Sequence, residues 1–393
     1  ARVFVTVQAA ALLLLVAGGC EINVNNPAGF DFTGRGPATV LTDTLSATGA
    51  DTSWAADLPL HTGNRLFVGR HLDFEAVALL RFLDLPADAV IDEARLTFYR
   101  AAANAAGEDP SGLTLSLRPV TVDWDTTWTG DRLGELTFDP LIDSISIPYT
   151  VTVDTFGFDL PAVLVQAWSD DPTAVGTRRG VAVTAPSDAP WLVQLDAGDD
   201  HFLYSQRRPR LRIRWHPAAG GSSRIAIVYP EVDLSLVELT GSPAAGELWV
   251  ARGAPWRTLV TFDLSVLPDG ATVNRAVLRL PVLASDQIGL PVVLAAGLPS
   301  GPDPWNYSSK DLLEANTVSS GIAVIEGDST VAILVTRAVA AYLWGTRSQT
   351  GLLVLAVGES DGITRLRLGD TTVAAEERAR LEVVYAVPPG GAQ

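Results

Sequence analysis

The chain has 393 residues, 47% of them hydrophobic, with 45 acidic residues against 28 Lys and Arg, a net charge of −17 and one cysteine. That is enough apolar chain for two or three domains with proper cores, and too much for general disorder. The acidic balance argues against a nucleic-acid partner, because phosphate binding rests on clustered Lys and Arg, and one Cys excludes disulfides within the chain and any cysteine-rich metal site.

The first element is an apolar run, Ala9-Ala10-Ala11-Leu12-Leu13-Leu14-Leu15-Val16, followed by Ala17-Gly18-Gly19 and Cys20. It is too short to cross a bilayer and reads as the core of a secretory signal peptide over residues 1–19. A Cys directly after small residues resembles the bacterial lipoprotein signal, whose thiol is diacylated and becomes the new N-terminus. Ala17 stands where an aliphatic residue is usual, which leaves a plain secretory signal with an incidental Cys as the alternative. Arg2 is the only positive residue of an n-region and no Met precedes it, so the start reads as truncated or misplaced. Residues 20–37, rich in Asn, Gly and Pro, read as a flexible tether. Beyond them no apolar stretch reaches the ~18 residues of a membrane-spanning helix. The expected location is extracytoplasmic, at the surface of a bacterial cell, with a lipid on Cys20 as the membrane anchor.

From about residue 38 the pattern has period 2. Leu113, Leu115 and Leu117 alternate with Thr114, Ser116 and Arg118, and Leu211, Ile213 and Trp215 with Arg210, Arg212 and Arg214. Strict alternation puts one set of side chains on a buried face and the other in water, as in antiparallel sheets. Helical periodicity is nearly absent, so the chain is expected to be all-β. Pro217-Ala218-Ala219-Gly220-Gly221-Ser222 reads as a linker, and residues 388–393 as a tail.

The two stretches on either side of that linker are copies of one another. Leu66-Phe67-Val68-Gly69-Arg70 matches Leu248-Trp249-Val250-Ala251-Arg252, and Leu85-Pro86-Ala87-Asp88 matches Leu267-Pro268-Asp269-Gly270. Val165-Gln166-Ala167-Trp168 matches Ala341-Tyr342-Leu343-Trp344, and Arg210-Leu211-Arg212-Ile213-Arg214-Trp215 matches Arg380-Leu381-Glu382-Val383-Val384-Tyr385. Blocks in one order, at this length, predict two tandem domains, 38–216 and 223–387. Each has room for one short helix, capped by Asp159 with Pro161 in its first turn in one copy and by Thr336 in the other. Trp168 and Trp344 are expected as core anchors of those helices.

Together the blocks resemble the DNRLRE domain, a repeat of bacterial secreted proteins related to a carbohydrate-binding module family. The resemblance rests on Asp51-Thr52, Gly63 to Gly69, Leu79-Leu80-Arg81-Phe82, Leu85-Pro86, the pair Trp124 and Trp128, Val165 to Trp168, Gly180-Val181-Ala182-Val183, and Arg208-Pro209-Arg210-Leu211. The second copy keeps Phe262 to Pro268 closely but departs at the Asp-Thr opening and the Trp pair, with only Trp305 nearby. The resemblance implies a jelly-roll β-sandwich in each copy.

No motif of hydrolytic or phosphate chemistry occurs, and the four histidines, His61, His71, His201 and His216, all lie in the first copy. No enzyme is expected. Glycan-binding sandwiches stack exposed aromatic rings on sugar faces beside polar groups. Aromatic positions shared by both copies (Phe67 with Trp249, Trp168 with Trp344, Trp215 with Tyr385) read as core. The unshared Trp54, Trp124, Trp128, Trp191, Trp305 and Tyr307, with Arg65, are the candidate ligand contacts, packing being the alternative for each. Arg70, Arg207 and Arg208 are further cations for acidic sugars, or ordinary members of a solvated face. Asp196, Asp199 and Asp200 are weak candidates for a calcium ion, without the spacing of a dedicated loop. Two functions follow: a non-catalytic surface lipoprotein that binds polysaccharide, or a structural or adhesive cell-envelope protein whose sandwiches contact other proteins or self-assemble.

Overall fold

A computed structural model describes residues 39–49, 51–105, 110–149, 155–170, 180–198, 207–288, 291–300, 313, 317–319, 321–325, 327–344 and 351–387. The signal peptide, tether, Cys20, Asp199, Asp200, His201, Trp305, Tyr307 and the tail lie outside them.

The first half runs β1 (Thr39–Ser46), β2 (Thr52–Ala55), β3 (Arg65–His71), β4 (Phe74–Arg81), β5 (Ala89–Ala105), β6 (Leu113–Pro119), β7 (Asp143–Ile147) and β8 (Thr155–Leu160). It continues through α1 (Ala162–Asp170), β9 (Gly180–Thr184), β10 (Trp191–Asp196) and β11 (Arg210–Pro217). The second half runs β12 (Arg224–Val228), β13 (Val232–Leu239), β14 (Glu247–Arg252), β15 (Trp256–Val260), β16 (Thr272–Ile288) and β17 (Val292–Gly297). It ends with β18 (Ile322–Val324), β19 (Thr330–Leu334), α2 (Thr336–Leu343), β20 (Leu352–Val357), β21 (Ile363–Gly369) and β22 (Arg380–Val387). The chain is all-β, with two curled antiparallel sheets and one short helix beside each, as the alternation predicts.

Both sheets are eleven-stranded and share one strand order: β12-β11-β5-β10-β3-β4-β9-β6-β7 in one, β1-β22-β16-β21-β14-β15-β20-β17-β18 in the other. The 17-residue strands β5 and β16 each serve two layers. The first part of β5 pairs with β11 and β8, and its end with β10. The sheet therefore folds over its own core. Leu66, Leu80, Phe98, Leu115, Phe158, Val183 and Ile213 fill one interior; Val250, Leu278, Leu294, Ile333, Val354, Leu366 and Val383 fill the other. Leu211 and Ile213 are buried while Arg212 and Arg214 face water, the period-2 pattern realised side chain by side chain.

Sheet membership crosses the sequence boundary. β1 lies against β22 along its whole length, from Thr39 opposite Val387 to Ser46 opposite Arg380, and β2 lies against β15. In the opposite direction, β12 pairs with β11, and β13 covers β4 from Val232 opposite Arg81 to Leu239 opposite Phe74. Each copy's opening pair of strands thus completes the sandwich of the other copy. The stretch 217–222, read from composition as a domain linker, is the turn of the β11–β12 hairpin, with Gly220 N–H donating to Pro217 O at 2.9 Å. Pro and Gly mark a chain reversal as readily as a linker. The chain passes between the sandwiches at 56–64 and again at 240–246.

The crossing pairs are equivalent in detail. Ser53 Oγ accepts from Trp249 N–H at 2.9 Å, and Ser235 Oγ accepts from Phe67 N–H at 2.9 Å. Ser53 sits opposite Thr258, and Ser235 opposite Ala78, positions that match between the copies. The second copy therefore retains the opening as Asp233-Leu234-Ser235, the counterpart of Asp51-Thr52-Ser53.

The helices depart from expectation at their caps. Asp159 is a β8 residue paired with Arg95 at 2.6 Å, and Pro161 O receives the first turn of α1. Thr336 Oγ1 accepts from Ala276 N–H at 2.9 Å, tying α2 to β16 rather than capping it. Trp168 is a core anchor stacked on Phe82, but Trp344 ends α2 with 70% of its surface exposed.

Removing either serine hydroxyl strands a backbone N–H. Ser53→Ala and Ser235→Ala should each lower stability by about 1–3 kcal/mol, read as a fall in the denaturant midpoint, whereas Ser46→Ala at the exposed end of β1 should change it little.

Candidate functional site

The tryptophans expected to meet a ligand are largely spent on packing. Trp124 and Trp128 are buried beside Leu60, Phe74, Leu234 and Leu236 in a third apolar cluster, distinct from the two interiors. Arg81 lies over the Trp124 ring at 4.5 Å and donates to Trp124 O at 2.8 Å; Arg132 covers Trp128 at 3.8 Å. Trp191 is buried in the first interior. Trp54, on β2, is half-buried against Leu259 and Leu353. Trp124 and Trp128 turn inward because the Asp/Thr segment between them is a tight, exposed turn, in which Asp125 accepts from Thr127 N–H at 2.7 Å.

The candidate charges are committed as well. Asp196 is buried between Arg65 at 2.8 Å and Arg207 at 2.9 Å, and Arg70 pairs with Glu75 at 2.5 Å. A calcium ion at Asp196 would have to displace two guanidinium groups from its carboxylate, and among the described residues no group of three or more acidic, His or Cys side chains is placed to hold a metal.

The third cluster joins the sandwiches. Phe67, Leu79, Ala182 and Leu192 of the first sandwich are continuous in it with Trp249, Ala251, Ile288 and Ile363 of the second. Phe67 and Trp249 are the matched aromatic pair of the two copies; they lie in this layer, not inside either sandwich. Polar clamps frame it. Gln194 Nε2 donates to Ile288 O at 3.2 Å, and Asn64 N–H to Asp361 Oδ1 at 3.0 Å. Arg365, over the Trp249 ring at 4.8 Å, bridges Asp73 at 2.6 Å and Asp286 at 2.7 Å. The turn carrying Asp361 is held from below by the buried Arg257–Glu359 pair, whose two bonds are 2.9 and 2.7 Å. Gly63 packs so closely on this turn that a Cβ there would lie 2.5 Å from Ser360 O.

Where the connection Tyr229–Glu231, between β12 and β13, meets the first sandwich, a polar cleft of about 360 Å³ opens. His61, Thr62, Thr126, Arg208, Tyr229, Glu231 and Asp233 line it. Tyr229 is 45% exposed and Arg208 lies 5.7 Å from its ring centre. Asp233 is buried and accepts from Gly198 N–H at 2.5 Å. An accessible ring flanked by donors and acceptors is the chemistry a sugar face needs. Tyr229 was missed in the sequence because it belongs to the second copy by numbering and to the first sandwich by position.

Three groups are shifted from their ordinary titration by their surroundings. The His71 imidazole is held below its ordinary 6.5 by loss of water, against the pull of Asp286 across the junction. The Asp51 carboxyl, on the crossing segment, is pushed up by burial against hydrogen bonds from Thr261. The Tyr385 phenol is raised by its 2.7 Å bond to Asp43 of β1.

No protein-family model matches the chain, and no curated protein is significantly similar to it.

Two outcomes are expected. Asp196→Asn should cost about 1.5–3 kcal/mol in urea unfolding, because Arg65 and Arg207 lose a shared carboxylate. His71 is favoured neutral in the folded chain, so its contribution is fully present above 6.5 and is lost as pH falls below that value. Stability measured at pH 7.5 and 5.5 should drop less for His71→Gln than for the parent.

Proposed function

We propose that this chain is a non-catalytic structural protein of the cell envelope, exported and held by a lipid on Cys20. Its two interlocked sandwiches act as one stiff spacer that presents protein-contacting surfaces away from the membrane. The observation that carries this reading is the continuous apolar layer from Phe67 and Leu192 to Trp249 and Ile363, which makes a single body of the two copies. A layer of that kind suits load-bearing and spacing, since relative domain motion is the default only for small polar contacts. Trp124, Trp128 and Trp191, three of the candidates for stacking on sugars, pack in the body instead. The buried carboxylates Asp196 and Glu359 serve arginines, which leaves them structural roles.

The polar cleft beside Tyr229 favours a second reading, polysaccharide binding, which is also what the DNRLRE resemblance implies. The two separate on one measurement. A glycan array probed with the full chain, calcium present, should show no saturable binding if the protein is a spacer. Saturable binding to a polysaccharide, lost at least tenfold in Tyr229→Ala with an unchanged melting temperature, would replace the spacer reading with the carbohydrate one.

A further inference from the structure

The repeat follows a rule that the chain satisfies only by closing on itself. The opening strands of the second copy, β12 and β13, complete the sandwich of the copy before them. By the same rule the second sandwich should be completed by the opening strands of a copy after it. Within one chain there is none in the described residues, and the place is taken by β1 and β2 from the first copy. The seat is defined by ladder pairs along β22 and β15, by Ser53 beneath Trp249, by Asp43 accepting from Tyr385 at 2.7 Å, and by Asp51 accepting from Thr261 N–H at 3.0 Å. Nothing in those contacts requires that β1 and β22 belong to the same polypeptide.

We propose that β1–β2 of one copy of this chain completes the second sandwich of another copy, so that the chains join by exchange of this strand pair. In such an assembly the first sandwich of the donor travels with its strands. Asn64 on Asp361, Asp73 on Arg365 and the apolar layer re-form between chains as they stand within one. The occupant is therefore a second copy, because the seat and the layer beside it already fit this chain. Only one connection has to open, Thr240-Gly241-Ser242-Pro243-Ala244-Ala245-Gly246, the passage from β13 to β14. It is mostly exposed, and Gly241 and Gly246 hold φ of +97° and +92°, a conformation natural to glycine. Exchange of identical elements costs little because the contacts are conserved, and its extent is set by concentration against the effective concentration of the tethered segment. The proposal rests on the structural reading of the chain and gives it a means of linking spacers.

The test uses the pair Thr42 and Val384, which face each other across β1 and β22. Opposed residues of an antiparallel pair are close enough for a disulfide. Cys20→Ser is placed in every chain to remove the native thiol. One preparation carries Thr42→Cys, a second Val384→Cys, and a third both. The two single variants are unfolded together, refolded at a series of concentrations and oxidised. A disulfide-linked species containing both chains is expected, rising with protein concentration, while the double variant closes within one chain when dilute. Absence of the mixed species at every concentration, with closure of the double variant intact, would overturn exchange and leave a monomeric spacer. Failure of the double variant to close would overturn the seat itself. Saturable glycan binding by the parent would remove the spacer reading without altering the crosslinks, so the two failures are distinguishable.

Discussion

A strand at the edge of a sheet leaves a row of N–H and C=O groups unpaired, and in this molecule those rows are closed by strands from the other repeat. β22 and β15 receive β1 and β2; β11 and β4 receive β12 and β13. The two serine acceptors, half-buried Ser53 on Trp249 and buried Ser235 on Phe67, fix the depth at which each pair is seated. Neither sandwich is complete without chain drawn from the other half. Pairing Thr39 with Val387 also gives the fold contacts of very high sequence separation, so closing the second sandwich must wait for most of the chain, a slow step in folding.

The crossing has a second consequence, at the junction. The connections at 56–64 and 240–246 hold the sandwiches side by side, and the faces that meet are apolar where a lone sandwich would be wet. Phe67 and Trp249 occupy matched positions on those faces and contribute to one shared layer. Charged residues then seal its rim: Arg365 between Asp73 and Asp286, and the Arg257–Glu359 pair behind the turn that meets Gly63. Removing water from such pairs offsets much of their attraction, so they add little net stability while making loss of either partner costly.

Local sequence made much of this legible. Alternation at Leu113 to Leu117 and Leu211 to Trp215 told strand from helix, and matched blocks told one copy from two. The candidate site was less legible, for a consistent reason. Trp124, Trp128 and Trp191 sit among polar neighbours in sequence and among apolar ones in space. Trp344 is the reverse, matched to a core residue yet exposed at the end of α2. The cleft at Tyr229 could not be assembled from the sequence, since its walls come from both copies.

The sequence by itself determined the all-β class, the duplication, and the inward and outward faces of alternating strands such as β6 and β11, because side-chain period is a local property of extended chain. Only the tertiary structure decided which strand pairs with which, and with it the passage of β1–β2 and β12–β13 into each other's sandwich. Backbone hydrogen bonds carry the pairing, and they are blind to residue type. What selects among partners of equal alternation is the fit of a few groups, such as Ser53 under Trp249 and Ser235 under Phe67, which meet only once the whole chain has folded.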